Sequence, residues 1–68
     1  SLHIPMKGNV NVQVYDLNGR VVQTLLSGMQ SKGDYSIIWN ASGQSSGMYL
    51  IRAKMAEQIA VQKVLLLK

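Results

Sequence analysis

Strict alternation in Val10-Asn11-Val12-Gln13-Val14 constrains this chain more than any other feature. A period of two sets all three valines on one face of an extended strand, whereas a helix would scatter them around its axis. The remaining segments read the same way. Val21-Val22-Gln23-Thr24-Leu25-Leu26 is a return strand with a broken period. Val22 and Leu25 cannot both point inward on a regular strand, so a bulge is expected there. Tyr35-Ser36-Ile37-Ile38-Trp39 lines up Tyr35, Ile37 and Trp39 on one face. A tryptophan in that row supplies much of a small core. Met48 to Lys54 aligns Tyr49, Ile51 and Ala53, and Ile59 to Leu67 forms the last strand. Leu2-His3-Ile4 reads as a first strand closed by Pro5, which suits an edge because proline donates no ladder bond.

The punctuation agrees with strands. Asp16-Leu17-Asn18-Gly19-Arg20 lies between apolar runs, and Asn-Gly there predicts a type I′ turn with positive φ at both Asn18 and Gly19. The Asp16 side chain is expected to cap that turn. Ser27-Gly28, Ser31 to Asp34, Asn40 to Gly47 and Glu57-Gln58 read as loops or turns. About six short strands with turns roughly every eight to twelve residues suggest an all-β sandwich or small barrel. The expected core is Val12, Val14, Ile37, Trp39 and Ile51.

Chemistry-bearing patterns are sparse. Sixty-eight residues make one small domain, 1–68, and make a self-contained enzyme a poor fit. With no cysteine there is neither a disulfide nor a thiolate metal site. One histidine, His3, and three separated acids, Asp16, Asp34 and Glu57, cannot supply a tetrahedral zinc set or an acid/base pair. No acidic calcium loop is present. Gly43-Gln44-Ser45-Ser46-Gly47 matches G-x-S-x-G, but that motif needs a strand-to-helix elbow and a downstream histidine. Asn40-Ala41-Ser42 is an N-x-S triplet of a kind common by chance. No catalytic residue, cofactor or metal is expected. The aliphatic run Val64 to Leu67 is far below the roughly 20 residues of a membrane helix, so no membrane insertion is expected. No basic-then-apolar leader opens the sequence, and Ser1 to Pro5 reads as a cut at or inside a domain edge.

Seven Lys and Arg against three Asp and Glu give a net charge of +4. The cations are scattered, and only Arg52 and Lys54 share a strand face by period two. That distribution reads as solubility and edge protection rather than nucleic-acid binding. A small basic barrel that binds nucleic acid or carbohydrate remains a minor alternative, with Tyr15, Tyr35, Trp39 and Tyr49 as stacking candidates. Trp39 is expected in the core, and Tyr15, out of phase with the valines, is expected to be partly exposed.

Motif order then adds a resemblance. Val12-Gln13-Val14-Tyr15-Asp16-Leu17-Asn18-Gly19-Arg20-Val21-Val22 resembles the V-x-V-Y-D-x-x-G-R-x-V hairpin of the C-terminal sorting domains, type A, of the bacterial type IX (Por) secretion system. Gly33 to Asn40 is similar to that family's G-x-Y-x-x-x-W strand, and Ser46 to Arg52 to its S-G-x-Y-x-x-R strand. Gln62 to Lys68 resembles its closing K-x-x-x-x-K strand, and Leu2 to Lys7 its opening x-L-P strand. The resemblance spans nearly the whole chain. The immunoglobulin-like domain of the flagellar hook-capping protein shares the hairpin and the tryptophan strand.

The resemblance implies an immunoglobulin-like antiparallel β-sandwich of six to seven short strands. It implies a non-catalytic address tag, covalently fused to an upstream cargo, in a Gram-negative bacterium of the Bacteroidetes type. Such cargo reaches the periplasm by an ordinary signal peptide. The type IX translocon then reads the tag, a sortase-like protease removes it, and the cargo is secreted or held at the cell surface, often on an anionic lipopolysaccharide. The segment ahead of the family's first strand has no counterpart in these residues, which leaves open the cleavage site and whether the first strand is complete or truncated. The sorting-signal residues it nominates are Gly47, Tyr49, Arg52, Lys63, Val64, Leu66 and Lys68, with Tyr15, Asp16, Gly19 and Arg20 building the hairpin. The alternative is an immunoglobulin-like structural or interaction module, such as a flagellar cap domain or an adhesin spacer.

Overall fold

The computed structural model describes residues 2–68. Among these there are six strands and no helix: β1 Leu2–Ile4, β2 Gly8–Tyr15, β3 Val21–Gln30, β4 Gly33–Tyr35, β5 Gly47–Met55 and β6 Gln58–Leu66. All pairings are antiparallel. One sheet has the order β3-β2-β5-β6, and β1 pairs with β4 in a second, smaller sheet. The small sheet packs on the inner face of the large one, giving the all-β, immunoglobulin-like sandwich.

The valine row of β2 is the centre of the core. Val10, Val12 and Val14 are buried at 1%, 3% and 0% exposure. Their neighbours across the ladder, Ala53 opposite Val12 and Ile51 opposite Val14, share the inner face. Ile4 of β1 closes the cluster from the second layer, with Leu2, Leu25, Leu26, Tyr35 and Ile37 packed around it. Burial of apolar area of this kind is the main favourable term for so small a domain.

The bulge forms at the residues that broke the period. The β2–β3 register shifts between Val12 and Gln13 and again between Val14 and Tyr15, so Leu25 and Val22 are the unpaired extras. Each shift brings an off-phase apolar side chain out of full exposure, at the cost of a ladder bond.

Three expectations are corrected. First, the Asp16–Arg20 turn is not type I′, because Asn18 lacks positive φ and only Gly19 has it, at 84°. The Gly19 N–H donates to the Asp16 carbonyl at 3.1 Å and the Asp16 N–H to the Arg20 carbonyl at 3.0 Å. That pattern is a turn over Leu17-Asn18 followed by a left-handed glycine, the three-residue hairpin solution. Second, Ser27-Gly28 is not a loop. β2 starts at Gly8, and its early residues hold β3 in the ladder through Gln30. Third, the strand expected over Tyr35–Trp39 stops at Tyr35. Its antiparallel register pairs Tyr35 with Leu2, so no described strand lies opposite Ile37 to Trp39.

Candidate functional site

The β5–β6 hairpin gathers most of the sorting-signal candidates. Gly47 pairs with Leu66, Tyr49 with Val64, Leu50 with Lys63 and Arg52 with Val61. Register alone therefore sorts them by face. Gly47, Tyr49, Val64 and Leu66 lie on the inner face, whereas Arg52 and Lys63 lie on the outer. Tyr49 is buried, while Gly47, Val64, Leu66 and Arg52 are half-buried and Lys63 and Lys68 exposed. Gly47 sits at φ 155°, a conformation that L side chains rarely adopt.

One end of the sandwich is tied by polar contacts that periodicity does not announce. The Tyr49 hydroxyl donates to the Ser45 carbonyl at 2.7 Å. The Lys68 backbone N–H donates to Ser46 Oγ at 2.9 Å, and its Nζ to the Ser42 carbonyl at 2.8 Å. The Ser42–Ser46 loop is thus fastened to β5 through Tyr49 and, through Lys68, to the residues that follow β6. Ser42, Ser45 and Ser46 carried no signal in the sequence beyond loop composition, because these bonds span up to 26 residues.

The Asp16–Arg20 hairpin lies at the same end, since Tyr15 pairs with Leu50. Asp16 Oδ1 accepts from the Asn18 N–H at 2.9 Å and the Arg20 N–H at 3.0 Å, and Oδ2 from Arg20 Nε at 3.0 Å. The Arg20 backbone N–H is the chief cause that holds the Asp16 carboxyl below the usual carboxylate value. Desolvation opposes it, and the Asn18 N–H and the guanidinium reinforce it. Half-buried Tyr15 donates its hydroxyl to Gln13 Oε1 at 2.8 Å. At the small sheet, exposed His3 and Asp34 meet at 2.7 Å across β1 and β4.

Among the expected core residues, Val12 and Val14 are fully buried, whereas Ile37, Trp39 and Ile51 are half-buried. Trp39 packs edge-on to Tyr49, with ring centroids 5.0 Å apart at 66°. Its Nε1 is buried with no hydrogen-bond partner among the described residues. Beside it runs an open, mainly apolar groove of about 460 Å³ between Leu2, Ile37 and Trp39 on one side and Ile51, Ala53 and Ala60 on the other.

The groove exists because the second layer stops short of β6. Residues Gln58 to Lys63 are exposed on both faces of their strand. Ile59, Val61 and Leu65 show 53%, 57% and 57% of their surface. On that outer face Lys54 stands opposite Ile59, Arg52 opposite Val61 and Lys63 opposite Leu50. Ladder pairing thus adds Lys63 to the two cations legible by period.

The chain matches the family model described as the secretion system C-terminal sorting domain over residues 1–67. None of the curated proteins and none of the solved structures matches it. The chain belongs to that family and carries a type IX C-terminal sorting signal.

Proposed function

We propose that this member of the sorting-domain family is a folded, non-catalytic address label, single-domain over 1–68, that carries a covalently fused upstream cargo across the outer membrane. The family match over residues 1–67 carries this reading. The cargo reaches the periplasm of a Gram-negative bacterium of the Bacteroidetes type. The type IX translocon reads the label, a sortase-like protease removes it, and the cargo is secreted or retained at the cell surface. Neither nucleic acid nor insertion into the membrane is part of this role.

The recognised surface in this reading is the start of β5 with the end of β6: Gly47, Arg52, Lys63, Val64, Leu66 and Lys68 are its accessible candidates, and buried Tyr49 braces it from within. Two observations support it. Gly47 to Leu50 pair directly with Lys63 to Leu66, and Lys68 ties the adjoining loop to the same corner. A rigid corner presents its groups in one geometry, which lowers the ordering cost of recognition.

A periplasmic reporter with this chain at its C-terminal end tests the role in a strain with a type IX system. Expected is delivery of the reporter to the surface or medium, lost without the chain or without the translocon. A folded fusion that stays in the periplasm of the intact strain refutes the reading. Deleting Lys63 to Lys68 is a poor probe of the surface, since it removes the ladder partners of Gly47 to Leu50. Lys63→Glu and Lys68→Glu alter the surface and leave the strand in place.

A further inference from the structure

Among the described residues, both outer strands of the large sheet leave one row of backbone N–H and C=O groups without a ladder partner. They are not equivalent edges. β3 is interrupted by two register shifts and carries Gly28 at φ 109°, features that spoil a template. β6 pairs with β5 in unbroken register over all nine residues and contains no proline. From Gln58 to Lys63 it is also bare on both faces. A regular, two-faced, largely apolar edge strand is what an incoming extended segment pairs with.

The chemistry around that edge says what kind of segment. On the outer face Lys63 stands on β6 itself among exposed Ile59, Val61 and Leu65, Arg52 and Lys54 stand one strand in on β5, and neither strand carries an acid. The chain's acids lie elsewhere: Asp16 in the hairpin, Asp34 on β4 and Glu57 in the β5–β6 turn. Pairing with a second copy through β6 would put three cations from each copy on one continuous face, without counter-charge. A partner strand with acids at alternate positions meets them instead. Its other face turns toward Ala60, Gln62 and the open end of the groove, which favours apolar side chains.

We propose that β6 is a docking edge for an extended segment of a partner protein that alternates acidic and apolar residues. The segment adds as a fifth strand of the large sheet, acids toward Arg52 and Lys63, apolar residues toward the groove. The proposal rests on the sorting reading only for what the partner belongs to, namely the export machinery.

The probes are two peptides of the length of β6, one alternating valine and glutamate, the other valine and lysine, titrated into the isotope-labelled chain. The glutamate peptide is expected to shift and protect the backbone amides of Ile59 to Leu65, with an effect that fades as salt rises. The lysine peptide is expected to leave them unchanged. The double variant R52E/K63E, checked for an unchanged fold by circular dichroism, is expected to invert the preference. Absence of protection on β6 with either peptide, equal response to both, protection on β3 instead, or a dimer of this chain paired through β6 each overturns the proposal. A wild-type chain that binds the glutamate peptide but fails to export the reporter refutes the sorting reading and leaves the docking edge standing.

Discussion

Trp39 is the side chain whose replacement separates packing from polar satisfaction. A fully buried tryptophan cut to alanine costs about 3–5 kcal/mol. Trp39 is half-buried, so roughly half of that, about 2 kcal/mol, is at stake in burial. Its edge-on contact with Tyr49 at 5.0 Å adds about 0.5–1.5 kcal/mol. Against these stands the buried, unpartnered Nε1, whose desolvation costs about 1–3 kcal/mol. Trp39→Ala loses the first two and escapes the third, a net loss centred on about 1 kcal/mol and no larger than about 2.5 kcal/mol. Trp39→Phe keeps a ring against Tyr49 and also removes the orphan donor. It is expected to lie within about 1 kcal/mol of wild type, on either side. In a domain of this size 1 kcal/mol moves Tm by about 4–8 °C, so far-ultraviolet circular dichroism melts resolve the two variants. A phenylalanine variant that melts as low as the alanine variant would show that Nε1 has a partner, and the reasoning would fail.

Three further outcomes are expected. Val14→Ala, at the most buried position of β2, should cost about 2–3 kcal/mol, a large share of the roughly 3–10 kcal/mol available to such a chain. Chemical denaturation reads this as a lower midpoint with an unchanged slope. Ala56 occupies the β5–β6 turn at φ 50°, so Ala56→Gly should stabilise by about 1 kcal/mol, seen as a raised Tm. Asp16 has a folded-state carboxyl pKa below its unfolded value. Its contribution is therefore complete above the unfolded pKa and is lost as pH falls through the folded one. Melts of Asp16→Asn should show a flatter acid limb than wild type below about pH 4 and a lower Tm at neutral pH.

The valine row and the bulge were legible from side-chain period, and five of the six strands from period together with the turn residues and Pro5 that bound them. The turn at Asn18 was misread because local propensity favours I′ there, while the Asp16 carboxylate gathers three donors around a different backbone path. Periodicity at Tyr35 to Trp39 reported which face is turned inward, but a strand also needs a paired backbone, and among the described residues the β1–β4 ladder ends at the Leu2–Tyr35 pair. The Lys68–loop ties and the company of Lys63 with Arg52 and Lys54 depend on register between distant segments. A single sequence carries no local trace of such contacts.

Strand order has a mechanical consequence. β6 lies at the rim and is held along one side only, by β5. Tension applied at Lys68 can therefore peel it away one ladder bond after another, as a zipper opens, rather than shearing many bonds at once. The buried cluster of Ile4, Val10, Val12 and Ala53 contains no residue of β6, so the first ladder bonds to part do so without opening that cluster.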